Sequence, residues 1–168
     1  MVTSVLAHNL ASLLAGIDAS HDFRACLTIL RHLTSPRKDP QRDRVTLRVD
    51  NHELKGLLPQ INRLARVEPE TVYDLLESQL GQAERLSPTR ELAMSDWWRS
   101  AVEADPEYVW EQPGLNFLIS AVRESLRELI GLRPDIAERK IISLLGSDDP
   151  IRERIGLLSL IHISEPTR

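Results

Sequence analysis

Apolar residues recur every three or four positions along most of this chain, and that spacing places them on one face of an α-helix. A first stripe ends near Asp18, and a second begins at Phe23 and is closed by Ser35-Pro36. Four further stripes predict two pairs of helices, near 51–86 and 114–145. Their apolar positions are Leu54, Leu57, Leu58, Ile61, Leu64 and Ala65; Val72, Leu75, Leu76, Leu80 and Ala83; Leu115, Leu118, Ile119, Val122, Leu126, Leu129 and Ile130; and Ile136, Ile141, Leu144 and Leu145.

Short local signals mark the ends of these helices. Asp50 and Glu53 have the spacing of a capping box, in which each side chain satisfies an amide of the first helical turn. Pro59 removes one backbone donor and is predicted to kink its helix. Asp149 and Pro150 open a further helix as its N-cap and first residue. The apolar face of that helix consists of Ile151, Ile155 and Leu158.

Two segments depart from the helical pattern. The charged run PRKDPQRDR contains two prolines and is predicted to be a solvated loop. RVTLRV, residues 44–49, alternates as a β-strand does, but no second strand is evident to pair with it. We therefore interpret residues 44–49 as an extended connector, because an isolated strand is not stable.

The predicted fold class is all-α, built from antiparallel helical hairpins. In both hairpins a proline, Pro69 or Pro134, stands at the start of the second helix. This form is typical of an α-solenoid of the HEAT or armadillo kind, in which each pair of helices buries its apolar face against its neighbours. No strict repeat period is present, so a compact helical bundle stays open as the alternative.

Charge and composition exclude several classes of function. The net charge is −4 and aromatic residues make up 4% of the chain, whereas a nucleic-acid surface needs a basic excess and aromatic platforms for the bases. The one cysteine, Cys26, lies in an apolar run and is predicted to be buried. A lone cysteine fits a reducing, cytoplasmic setting. No apolar run has the length of a membrane span, and no basic segment precedes the first apolar stripe as in a signal peptide.

No motif predicts catalysis, a cofactor or a metal. The chain contains neither the glycine-rich phosphate-binding loop nor the G-x-S-x-G elbow. None of its five histidines pairs with an acidic residue at ligand spacing. Charged residues such as Arg123, Glu124, Arg152, Glu153 and Arg154 are expected to form solvated surface pairs. The sequence thus predicts a non-enzymatic chain without cofactor or metal ligands.

The tryptophans supply the candidate contact site. All three lie in the irregular segment 87–113, as Trp97, Trp98 and Trp110, and Arg99 follows the first two. Adjacent Trp97 and Trp98 cannot share one helical face. One interpretation is that an indole of this pair and Trp110 fill a gap between helical pairs. The other is that these residues, with Arg99, contact a protein partner, since tryptophan and arginine are enriched in interface hot spots.

One stretch of the chain resembles a known kind of protein. WWRSAVEADPEYVWEQPGLNFLISAVRESLRELIGLRPDIAERKIISLLGSDDPIRERIGL, residues 97–157, is similar to part of the C-terminal helical arrays of large bacterial STAND-type, NACHT-like NTPases of antiviral defence. DNHELKGLLPQINRLARVEPETVYDLLESQL, residues 50–80, is similar to the preceding hairpin of those arrays. The resemblance spans residues 20–157 and departs at Glu153, which interrupts a basic pair, and at Gly156, where alanine is usual.

The resemblance implies a recognition role. A solenoid of that family would bind a foreign protein, such as a phage protein, and release an attached NTPase and effector in the remaining domains of its parent chain. The second hypothesis is a standalone α-helical adaptor that binds a cellular protein. Neither hypothesis places catalytic residues in this chain.

The last eleven residues, LSLIHISEPTR, form a separate problem. They resemble, residue for residue, the in-frame translation of a transposase-type sequencing adapter. We therefore expect residues 1–157 to be a helical-repeat region from a longer protein, truncated at its C-terminus and open to question at its N-terminus. Residues 158–168 are expected to be a non-native, adapter-derived tail. The alternative is a native helix that frays at Glu165-Pro166.

Overall fold

The structure, a computed structural model, describes residues 2–39, 41, 44–87 and 113–164. Within these ranges the chain is mostly helical, and one small sheet accompanies the helices. The all-α prediction is therefore confirmed in its broad form. The elements are α1 (Val2–Gly16), α2 (Phe23–Leu33), β1 (Pro36–Asp39), β2 (Arg44–Leu47), α3 (Asn51–Val67), α4 (Pro69–Leu86), α5 (Pro113–Leu132), α6 (Pro134–Leu145) and α7 (Pro150–Ser164).

The two predicted pairs of helices are present, as α3–α4 and α5–α6. A single residue, Glu68 or Arg133, links the members of each pair. Each second helix begins at a proline. The N–H that proline lacks would make no hydrogen bond within the helix at this position, so its absence costs nothing. Pro59 lies inside α3 without ending it.

The capping predictions had different outcomes. Asp149 caps α7 as expected, because its Oδ1 accepts a hydrogen bond of 2.9 Å from the Ile151 N–H. The capping box at Asp50 is wrong, since the Asp50 side chain makes no cap hydrogen bond. Glu53 contributes only its backbone N–H, which donates to the Asp50 carbonyl, and its carboxylate contacts His8 of α1 instead.

The extended segment is a strand and not a connector. β2 pairs antiparallel with β1, with Pro36 opposite Leu47 and Asp39 opposite Arg44. The first half of the predicted loop thus forms the partner strand, β1. Its sequence does not alternate between apolar and polar residues, so the pattern gave no sign of a strand there. A two-stranded sheet is marginal in isolation, and here it packs on α4 and α5. Val45 and Leu47 are the β2 side chains buried beneath it.

Helix α5 lies at the centre of the core. It contacts α3, α4, α6, α7 and β2. Gly114 permits the contact with β2, because a Cβ at this position would lie 3.1 Å from the Val45 carbonyl oxygen. Buried side chains therefore occupy more of its circumference than one stripe. They are Leu115, Phe117, Leu118, Ile119, Ala121, Val122, Ser125, Leu126 and Leu129.

The two ends of the described chain attach to this core differently. Helix α1 packs on α2 and α3, and the Arg63 guanidinium of α3 donates to the carbonyls of Leu14 and Ile17, at 2.6 and 2.8 Å. Helix α7 packs on α6 and α5 and continues to Ser164, so it includes the first part of the segment that resembles an adapter. The origin of residues 158–168 stays a prediction. No helix in the described ranges is long and apolar enough to cross a membrane.

Candidate functional site

The predicted contact site lies outside the described residues. Trp97, Trp98, Arg99 and Trp110 all fall between residues 87 and 113, where the structure describes nothing. Both interpretations of the tryptophans therefore stay predictions. A different candidate site consists of charged residues that the tertiary structure brings together on α4, α6 and α7.

Helix α4 carries a row of acidic side chains. Glu70, Asp74, Glu77 and Glu84 follow one another at intervals of four, three and seven residues, so they lie on one helical face. A basic residue from each of the last two helices approaches this row. Lys140 comes from α6, and Arg152 comes from the first turn of α7.

Four of these residues, Asp74, Glu77, Lys140 and Arg152, line a polar cleft, here named the α4–α7 cleft. Its volume is about 390 Å³. Polar side chains predominate among its lining residues, so the cleft suits charged or hydrogen-bonding groups better than an apolar ligand. The lining residues are Tyr73, Asp74, Glu77, Lys140, Ser143, Leu144, Ser147 and Arg152.

Lys140 occupies one end of the α4–α7 cleft. Its Nζ lies 2.7 Å from Asp74 Oδ1 and 3.6 Å from Glu70 Oε1. The same ammonium lies 5.8 Å from the centre of the Tyr73 ring, within the range of a cation–π contact. Both carboxylates are about half exposed, so this end is a solvent-screened contact.

Arg152 occupies the other end, with 18% of its side chain exposed against 26% for Lys140. Its Nε donates to Glu77 at 3.0 Å, and its Nη1 donates to Glu84 at 2.7 Å and to Asp149 at 2.6 Å. Gly81 allows this approach, since a Cβ there would lie 3.0 Å from Arg152 Nη2. We name these four charged residues, Arg152 with Glu77, Glu84 and Asp149, the Arg152 cluster.

The Arg152 cluster contains more negative than positive charge. Burial raises the pKa of Glu84 to about 7, and the hydrogen bond and repulsion from Asp149 add to that rise, against the lowering effect of Arg152. Burial lowers the pKa of Arg152, but the carboxylates of Glu84 and Glu77 outweigh it and raise that pKa overall. The site can therefore hold a proton on a carboxyl group near neutral pH.

The expectation for Arg152 was wrong. The sequence suggested a solvated surface pair, whereas Arg152 is largely buried and joins α7 to α4 across 68 and 75 residues of chain. The helical spacing of the acidic residues on α4 could have been recognised from the sequence alone. It could not have revealed which of the 21 basic residues pairs with that row.

A second cleft lies at the sheet and is the more basic of the two. Its volume is about 440 Å³. Arg44 and Asp39 form an ion pair at 3.8 Å within it, so part of its charge is already compensated. The residues lining it are Arg37, Lys38, Asp39, Gln41, Arg44, Thr46, Leu47, Val49 and Asp50.

Other chemically capable residues have ordinary structural surroundings. Cys26 is fully buried, as predicted, and burial raises the pKa of its thiol. His8 contacts Glu53 from 45 residues away, a pair that spacing along the sequence could not reveal. Among the residues that the structure describes, no group of three or more histidine, cysteine or acidic side chains could hold a metal ion.

Comparison with known proteins yields no relative. No protein-family model, no curated protein and no solved structure matches this chain. The resemblance to STAND-type arrays thus keeps the status of a sequence-based expectation, and the function must be argued from the residues themselves.

Proposed function

We propose that residues 1–157 form a non-catalytic helical-repeat segment that recognises a protein partner. In this proposal the segment is the target-sensing part of a larger STAND-type defence ATPase, and its helix pairs belong to a HEAT-like solenoid. Its setting is the bacterial cytoplasm, and its partner is a foreign protein such as a phage protein.

The repeated form of the two hairpins is the observation that carries this proposal. In α3–α4 and again in α5–α6, two helices are joined by one residue and the second begins at a proline. α7 also begins at a proline and packs on α6. Stacked pairs of this kind are how repeat proteins build extended surfaces for binding other proteins.

Sequencing of the source DNA on both sides of codons 1–157 tests the proposal. The same reading frame, continued upstream, is expected to encode a phosphate-binding loop of the form G-x-x-x-x-G-K-[ST]. A complete reading frame without an NTPase domain would contradict the defence role. The same experiment decides whether codons 158–168 belong to the gene.

The tryptophan contact has its own test in the complete gene. If Trp98 or Trp97 contacts the partner, its replacement by alanine abolishes protection of the host from phage and leaves the thermal midpoint of the purified protein unchanged. If the same residue fills a gap between helices, the midpoint falls by several degrees instead. Arg99→Ala and Trp110→Ala separate the two interpretations in the same way.

A standalone helical adaptor is the second candidate. The buried residues of α1–α7 and the sheet form one continuous apolar cluster, which favours a unit able to fold alone. This alternative predicts that residues 1–157, expressed alone, unfold in a single cooperative transition and sediment as a monomer. A product without a cooperative transition would favour the longer parent protein.

A further inference from the structure

The Arg152 cluster joins two helices that otherwise make little contact. α7 rests mainly on α6, with a smaller contact to α5, and Arg152 connects it to α4 through hydrogen bonds to Glu77 and Glu84. Asp149 belongs to the same cluster and also caps α7 through the Ile151 N–H. The charge state of this cluster therefore bears directly on how α7 is held.

One guanidinium faces three carboxyl groups in this cluster. Glu84 and Arg152 are 12% and 18% exposed, so water compensates little of the excess negative charge. Glu84 Oε1 is buried and accepts no hydrogen bond from any donor in the described part of the chain. A proton on one carboxyl group would supply the missing donor between Glu84 and Asp149.

Several other charged groups lie around α4. Arg85 is a further cation close to the cluster, with its Nη1 3.7 Å from the position of a Cβ on Gly81. Other charged residues on elements packed against α4 have ion-pair partners. These pairs are Lys140 with Asp74 and Glu70, Arg66 with Glu128, Arg123 with Glu124, and Arg44 with Asp39.

We propose that the Arg152 cluster is a pH-sensitive latch, in which a proton on Glu84, hydrogen-bonded to Asp149, strengthens the contact between α7 and α4 and its loss weakens that contact. The latch is closed in mildly acidic solution. Deprotonation leaves two neighbouring carboxylates to repel each other within hydrogen-bonding reach of one guanidinium. The inference concerns a contact within the chain and does not depend on the proposed function.

The direction of the pH dependence follows from linkage. Glu84 has a pKa of about 7 when the latch is closed and returns to the ordinary 4.5 when it opens. A raised pKa means that the closed form binds the proton more tightly, so its extra stability is complete below pH 4.5 and is lost as the pH rises through 7. From pH 6 to pH 8 the equilibrium for opening is expected to rise about tenfold.

Hydrogen–deuterium exchange of the full 168-residue chain tests the latch. After correction for the intrinsic pH dependence of exchange, peptides of α7 should open about tenfold more often at pH 8 than at pH 6, while peptides of α5 should not change. Glu84→Gln, which cannot ionise, should remove this dependence. Glu138→Gln, at an exposed position of α6, is the matched control and should keep it.

Two results would overturn the latch. One concerns the protection of α7 from hydrogen–deuterium exchange. The latch is contradicted if this protection does not change between pH 6 and pH 8, or if it changes equally in Glu84→Gln and in the unaltered chain. The other comes from the unaltered chain alone and so does not rely on any variant folding. If carbon NMR of the side-chain carboxyl groups shows Glu84 titrating near 4.5, no such proton is held and the proposal fails.

Discussion

The core around α5 and the Arg152 cluster hold helices together by different means. In the core, many apolar side chains from several elements pack together, and each stabilises the fold because its apolar surface is removed from water. In the cluster, one arginine connects α7 to α4 through hydrogen bonds to two carboxylates. The stability of the core should depend little on pH but strongly on the volume of its side chains. The stability of the Arg152 cluster should depend on pH and little on side-chain volume.

The largest expected effect comes from a cavity in the core. Leu126→Ala removes a fully buried side chain from the middle of α5 and should lower the free energy of unfolding by about 2–5 kcal/mol. Urea denaturation followed by circular dichroism measures this. Leu132→Ala, at the 48% exposed end of the same helix, is the control and should change stability by no more than about 0.5 kcal/mol. Equal losses at both positions would mean that α5 is not central.

Two glycines of α5 should respond to alanine with opposite signs. Gly114→Ala pushes a Cβ against the β2 backbone and should cost about 1–3 kcal/mol of unfolding free energy. Gly131 has open space around it, so Gly131→Ala should stabilise the helix by up to about 1 kcal/mol. Thermal unfolding of the two variants measures the difference. A stabilising Gly114→Ala would show that the sheet does not pack on α5.

Loss of the cluster's arginine tests the second region. Arg152→Met keeps most of the apolar stem but leaves Glu77, Glu84 and Asp149 without their cation. We expect a loss of about 1–3 kcal/mol at pH 8, below the cost of breaking a fully buried pair because the carboxylates are partly exposed. The loss should shrink at pH 5, where Glu84 takes up a proton. Arg139→Ala, at an exposed position of α6, should have almost no effect at either pH.

The smallest expected effect lies at the exposed end of the α4–α7 cleft. Lys140→Met removes the pairs with Asp74 and Glu70, both about half exposed. Surface pairs of this kind contribute about 0–1 kcal/mol, and added salt screens them. Urea denaturation at low and high salt should give nearly equal stabilities for this variant and the unaltered chain. A loss as large as that of Arg152→Met would remove the contrast between the two ends of the cleft.

The sequence predicted the positions of the helices well because the signals for them are local. Leu118 and Val122 lie one turn apart, and Pro69 and Pro134 mark helix starts through their own missing N–H. Each of these patterns is complete within a few residues. The partner-contact residues Trp97, Trp98, Arg99 and Trp110 stay outside this test, because the structure does not describe them.

The features that the sequence did not predict depend on residues far apart in the chain. β1 is charged and lacks alternation, and it is a strand because β2 pairs with it over α4 and α5. His8 and Glu53 meet across 45 residues, and Arg152 and Glu77 across 75. The helical period of the sequence thus determined which residues face inward. This was possible because a helix forms its backbone hydrogen bonds within its own segment, so its faces follow from local sequence. Only the tertiary structure decided which buried charges share a contact, because that choice depends on how the finished helices pack.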